Sequence, residues 1–231
     1  MTWLERFEEM FSNLEWGDRK SQSNGTRQFS APSVACFDSN HFNFYICLII
    51  ENAWHTNTGP SSEVYIWDLS KHSSIPSDPA TPNPQVICRG HTGEGYGLAW
   101  CGIAGDENKG RLVTCAEDKT VRLWNVASAL KEGKNGTVVS PEATLTHHTD
   151  VVEDVDWHNR DINIVGSCGD DKMVCLWDVR ESKRNKPIHV IEEAHKGDVN
   201  SLEFHPINEF LLATGGSDKL VKLWDMRNLK R

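Results

Sequence analysis

No two of the chain's cysteines sit in a C-x-x-C pair, and their number, seven, is odd. A complete disulfide framework and a zinc ribbon are thereby excluded, and reduced core cysteines are the expectation. Cys88, Cys101, Cys115, Cys168 and Cys175 all fall in predicted strand segments. Long apolar runs are missing too: FYICLII, residues 44–50, is far too short to cross a bilayer as a helix. The opening MTWLERFEEM is acidic and amphipathic rather than basic and then apolar, so no secretory leader is read there. Positive charge is in deficit, with 24 Lys and Arg against 33 Asp and Glu, a net −9. Such a chain repels phosphate backbones, which argues against direct nucleic-acid binding and for a basic protein partner. Neither a Gly-rich phosphate loop nor a metal-ligand spacing occurs, so no cofactor and no metal is expected.

What the chain has is a phrase written three times. AEDKTVRLWN (116–125), GDDKMVCLWD (169–178) and GGSDKLVKLWD near the end align on Trp124, Trp177 and Trp224. A histidine precedes each tryptophan: His91 by 33 residues, His148 by 29 and His195 by 29. The first copy carries its four extra residues within CGIAGDENKG, which has loop chemistry. Nine residues after each histidine stands an aromatic, Trp100, Trp157 or Phe204. Six residues before each tryptophan stands an aspartate (Asp118, Asp171, Asp218), and four before that a hydroxyl (Thr114, Ser167, Thr214). A fourth, partial copy, SSEVYIWDLS (61–70), supplies only a last strand and its Trp67-Asp68.

Short Val-, Ile-, Leu- and Trp-rich runs between Gly/Asp turns, repeated at about 50 residues, describe an all-β chain of propeller blades. Ser167, His148 and Asp171 contain the ingredients of a nucleophile triad. The set recurs once per blade, however, and an enzyme needs one active site rather than three. The reading is therefore structural and non-enzymatic: a self-satisfying buried polar network that fixes a turn.

The pattern resembles the WD-repeat family, with the family's GH degraded to HH and AH in the second and third copies. There the corresponding hydroxyl, His, Asp and Trp form a tetrad that staples strands within a blade. Other strings narrow the resemblance: RGHTGEGYGLAW, KEGK (131–134), VVEDVDWH, WDVR, KPIHVIEEAH, DVNSLEFHPINEFLLATGGSDK and LWDMRNLK. Over roughly 58–231 the chain resembles the retinoblastoma-binding, Msi-type histone chaperones. That resemblance implies a nuclear, seven-bladed propeller that binds histone tails. It also implies partners in histone deacetylase, chromatin assembly, remodelling and Polycomb-type complexes.

The expected architecture is an incomplete WD-repeat β-propeller, about three to four blades of seven, with a short N-terminal helix. Residues 1–16 read as that helix, with Trp3, Leu4, Phe7, Met10, Phe11 and Leu14 in one stripe and a Thr2/Glu5 capping box. Residues 17–32 read as a linker, 33–90 as a partial blade, 91–147 and 148–194 as blades, and 195–231 as a blade lacking its outer strand. Segments 33–38 and 44–50 are candidates for the inner strands of the partial blade. An open arc exposes apolar faces and strand edges, so a truncated gene model, splice form or fragment that self-associates is expected.

Alternation places the outward chemistry. Gly95, Val152 and Val199, four residues after the histidines, face the core, and the flanking positions face away: Glu94 and Tyr96, Val151 and Glu153, Asp198 and Asn200. Apolar columns at the seventh and ninth positions break the alternation, which predicts a bulge near the fifth or sixth. By the resemblance, Glu94, Tyr96, Glu153, Asp198 and Asn200 would contact a basic histone tail at the channel mouth. Asp178-Val179-Arg180 and Asp225-Met226-Arg227 also fit the WDxR motif by which some propellers dock onto cullin ubiquitin ligases. Arg180 and Arg227 therefore mark an alternative role as a ligase substrate adaptor.

Overall fold

Runs of five or six β-branched, aromatic and cysteine residues, bounded by Gly/Asp/Lys turns, become antiparallel strands stacked as successive sheets. The computed structural model describes residues 34–39, 43–49, 62–68, 84–102 and 110–229. The helix expected at 1–16 and the linker at 17–32 lie outside them.

Blade I consists of β1 (Val34–Ser39), β2 (Asn43–Ile49), β3 (Val64–Asp68) and β4 (Val86–Cys88), joined antiparallel in that order. Blade II holds β5 (Gly95–Trp100), β6 (Arg111–Ala116), β7 (Val121–Asn125) and β9 (Ala143–Leu145). Blade III holds β10 (Val152–Trp157), β11 (Ile164–Gly169), β12 (Val174–Asp178) and β13 (His189–Ile191). Blade IV has three described strands, β14 (Val199–Phe204), β15 (Leu211–Gly216) and β16 (Val221–Asp225).

Between β7 and β9 the chain makes a detour that the repeat does not announce. A short helix, α1 (Ala127–Glu132), ends on Gly133, whose φ of 65° is left-handed and cheap for glycine. The chain then runs as β8 (Thr137–Val139) parallel to β4, so blade II lends blade I a fifth strand. Gln85 Nε2 donates to Asn135 Oδ1 at 2.9 Å, and Gly136 N to Pro84 O at 2.8 Å, fastening the detour to blade I.

Neighbouring blades meet through one repeated pair of apolar positions. On the third strand these are Val64 and Ile66, Val121 and Leu123, Val174 and Leu176, all fully buried. Each pair packs against the following blade. Val64 and Ile66 meet Leu112 and Trp124, Val121 and Leu123 meet Val155, Trp157 and Val165, and Val174 and Leu176 meet Leu202, Phe204 and Leu212. Fully burying each such side chain is worth about 1.5–3 kcal/mol. The buried thiols Cys88, Cys115, Cys168 and Cys175 fill the same layers, unpaired; Cys101 is buried too but sits one residue beyond β5 rather than in a strand. Burial pushes the Cys88 thiol up to about 12, which leaves it an inert core group.

The inner strands β5, β10 and β14 lie side by side, and their two contacts are built differently. Gly97 of β5 comes so near β10 that a Cβ there would lie 2.8 Å from Asp154 Cα and 2.7 Å from Cys115 Sγ. One blade later the same columns hold Asp154 and Asp156, which reach across as acceptors. Asp154 takes the N–H of Leu202 at 2.9 Å and Asp156 that of Phe204 at 2.8 Å, covering the free edge of β14. His158 and Asn159 complete the link, to Glu209 O at 2.9 Å and Phe204 O at 3.0 Å. His158 Nδ1 accepts the N–H groups of Arg160 and Asp161, so its proton sits on Nε2 and is donated to the next blade. Burial drives both aspartates up to about 7, against the backbone N–H bonds that favour their charged form.

Gly97→Ala is expected to cost about 1–3 kcal/mol by forcing β5 off β10. Gly102, around which nothing lies within 4 Å, supplies the matched Gly→Ala control. Urea midpoints of the two variants should differ clearly, and equal midpoints would contradict the close II/III contact.

Candidate functional site

In blades II, III and IV the histidine uses both ring nitrogens. His91 Nδ1 lies 3.0 Å from Asp118 Oδ2, and its Nε2 lies 2.8 Å from Thr114 Oγ1. His148 bridges Asp171 and Ser167 at 2.8 Å each, and His195 bridges Asp218 at 2.9 Å and Thr214 at 2.8 Å. The indole N–H groups of Trp124, Trp177 and Trp224 donate to the same three hydroxyls, all at 2.9 Å. A carboxylate only accepts, so Nδ1 carries the ring proton. Nε2 then accepts from the hydroxyl, whose oxygen takes the indole N–H. One chain of hydrogen bonds thus links the loop before the inner strand to the second and third strands.

The aspartates also set the turn. Asp118 accepts from Thr92 N at 3.0 Å and Thr120 N at 3.1 Å. Asp171 does the same for Thr149 and Met173, and Asp218 for Lys196 and Leu220. Between these anchors Lys119, Lys172 and Lys219 adopt φ of 64–66°, left-handed values that ordinarily favour glycine. A residue held there costs on the order of 1 kcal/mol, which the aspartate's bonds offset. Burial alone would raise the Asp118 and Asp171 carboxyls, but hydrogen bonds from His91 and His148 outweigh it and hold both below the usual carboxylate range. Burial also lowers the His91 imidazole, keeping it neutral. The twelve tetrad residues are therefore brought together as three staples with no exposed nucleophile.

A second set of side chains gathers at the end of the inner strands. The carbonyls of Glu94, Val151 and Asp198 accept from Glu117 N at 2.7 Å, Asp170 N at 3.0 Å and Ser217 N at 2.9 Å, which pins each residue beside its blade's tetrad turn. Register shifts follow at once, between Gly95 and Leu98, Val152 and Asp154, and Val199 and Ser201. The bulge falls where the broken alternation predicted it and leaves Tyr96, Glu153 and Asn200 out of the ladder. Glu153 hydrogen-bonds the Asp170 carboxyl and feels the Asp198 charge; burial first, then these neighbours, raise it to about 7. Asp170, which was not singled out in the sequence, is raised as well by burial and by Asp198. Its only signal was the doubled GDD of the second copy. Tyr96 packs against the core shared by blades II and III, with Glu94 half-buried and Asn200 exposed.

Arg180 and Arg227 take the same posture on successive blades. Each folds onto the aspartate two positions before it, at 2.5 and 2.6 Å. Among the described residues no group of His, Cys, Asp and Glu is arranged to hold a metal ion. No described helix is long and apolar enough to cross a membrane.

Sheets of this order, each stapled by a hydroxyl–His–Asp–Trp network, define a β-propeller of the repeat type used for protein–protein interaction. The WD domain, G-beta repeat family model matches residues 83–125, 139–178 and 185–225, more than half of the chain. The chain belongs to the WD-repeat family, whose members are typically non-enzymatic interaction scaffolds.

His148→Ala should cost roughly 1–3 kcal/mol, because it strands Ser167 and Asp171 inside blade III; thermal melting checks it. Asp118 has a folded pKa below its unfolded value, so its contribution is present above about pH 4 and lost as pH falls through the folded value. The stability gap between wild type and Asp118→Asn should hold steady from pH 8 to 5 and narrow below about 4. A gap that widens on acidification would contradict the assignment.

Proposed function

We propose that this chain is a histone-binding scaffold of nuclear chromatin complexes, taking the basic tail at the acidic end of its inner strands. The observation that carries the reading is the Glu153–Asp170–Asp198 cluster, three carboxyls from two adjacent blades held within mutual electrostatic reach. Packed like charges raise one another's pKa, and a Lys or Arg side chain between them relieves that repulsion while forming charge-assisted hydrogen bonds. Glu94 extends the same acidic column onto blade II, and the net charge of −9 draws cationic peptides toward the chain. Arg180 and Arg227 already spend their guanidinium forks on Asp178 and Asp225, so the ligase-adaptor reading receives less support.

Glu94→Gln, Glu153→Gln and Asp198→Asn together remove charge and keep shape. At about 1–2 kcal/mol per pair, the triple variant should bind a histone tail peptide at least tenfold more weakly. Added salt should weaken the wild type more than the variant, since rim charges are screened within about 10 Å at 0.1 M. Calorimetric titrations at two salt concentrations test both points, and equal affinities would reject the reading.

A further inference from the structure

The corner between α1 and β8 is the dipeptide Asn135-Gly136. Gly136 has a φ of 74°, a left-handed value, and a Cβ there would meet nothing within 4 Å, so the corner is open to water. Asn135 is exposed beside it. An asparagine amide followed by glycine is especially reactive, because no side chain shields the next main-chain nitrogen from the amide carbon. The Gly136 N–Asn135 Cγ bond forms as Cγ–Nδ2 breaks; the Gly136 amide proton passes to water and the side-chain nitrogen leaves as ammonia. Water then opens the cyclic imide at either carbonyl, giving aspartate or isoaspartate.

In the folded chain blade I engages both reacting groups. Gly136 N donates to Pro84 O at 2.8 Å, and Asn135 Oδ1 accepts from Gln85 Nε2 at 2.9 Å. Gln85 is 2% exposed, so its amide is a fixed partner. Attack needs the nitrogen freed of its proton and the side chain turned back over it, and these bonds oppose both. Thr137 N donates to Gln85 O at 3.1 Å and Arg89 N to Val139 O at 3.0 Å, which hold β8 in register on β4. That hold is short: β8 is three residues long and its Val138 is 50% exposed. The corner can therefore lift locally while the rest of the blade stays folded.

We propose that Asn135 is a site of spontaneous deamidation that the docking of β8 on blade I holds in check. Isoaspartate routes the main chain through the former side chain and adds one carbon, about 1.5 Å, between α1 and β8. Gly136 N then no longer reaches Pro84 O while residues 137–139 stay in register, so the product opposes re-docking. Aspartate keeps the main-chain length and an oxygen acceptor for Gln85, and it re-docks. The isoaspartyl product thus converts a reversible lift of β8 into a lasting opening of the outer edge of blade I.

Peptide mapping of the full chain at mildly alkaline pH tests it. The map resolves the amide, aspartyl and isoaspartyl forms at Asn135 from those of a second Asn-Gly pair, Asn24-Gly25, which lies outside the described residues. The native chain should form product at Asn135 about tenfold or more slowly than the urea-unfolded chain. Gln85→Ala removes the bond to Asn135 Oδ1 and should speed the native reaction on the order of fivefold. Val139→Ala trims a side chain packed on the blade I/II core and loosens β8 without altering Asn135 or Gln85. It should speed the reaction as well, and it carries the test if Gln85→Ala loses the wild-type near-ultraviolet circular dichroism. Amide exchange at 137–139 should quicken in aged chains in proportion to isoaspartate and keep the wild-type rate in Asn135→Asp. Equal native and unfolded rates, a native chain that forms no product, rates indifferent to both substitutions, or unchanged exchange in isoaspartyl chains would each overturn the proposal.

Discussion

An imidazole with its proton on Nδ1 is the piece on which blades II, III and IV turn. That tautomer gives the carboxylate a donor and the hydroxyl an acceptor at once, and the indole N–H closes the series. Remove the ring and the three remaining polar groups lose their arrangement together, because each satisfies the next. The aspartate is then free to leave the turn, and the left-handed lysine beside it loses the bonds that offset its strain. Strand pairing, turn geometry and the placement of the acidic residues before each inner strand all descend from this one ring.

The acidic cluster shows how a structural staple prepares a surface. The tetrad fixes the turn holding Asp170, and the Asp170 amide fixes the Val151 carbonyl just before the bulge. The bulge then swings Glu153 out of the ladder toward the Asp170 carboxyl. Carboxylates brought together by a rigid frame cannot relax apart, so their repulsion is retained until a cation arrives. A floppy loop with the same residues would spread them and lose the advantage.

Much of this was legible in the residues. His91, Thr114, Asp118 and Trp124 could be read because a network of four side chains demands four fixed offsets, and three copies repeat them. The bulge could be read because apolar columns cannot keep strict alternation across it. The contacts between blades were harder to see. Asp154 and Asp156 look like surface acids inside VVEDVDWH, and only the neighbouring sheet reveals them as acceptors for Leu202 and Phe204. The equivalent positions in blade II are Gly97 and Ala99, so no repeated column announces the role. The fifth strand of blade I was equally hidden, since TVV at 137–139 is three residues long and pairs with a segment far back in the chain.

That borrowed strand ties the order of synthesis to the order of completion. A ribosome releases β4 well before β8, with the three inner strands of blade II emerging between them. The outer edge of blade I therefore stays open while blade II forms, and α1 and β8 then fold back to seal it. Nascent chain at that stage exposes a short edge to chaperones or to another polypeptide. Blade I is thus finished only after the three inner strands of blade II have emerged, which makes the two blades one cooperative step rather than beads added in turn.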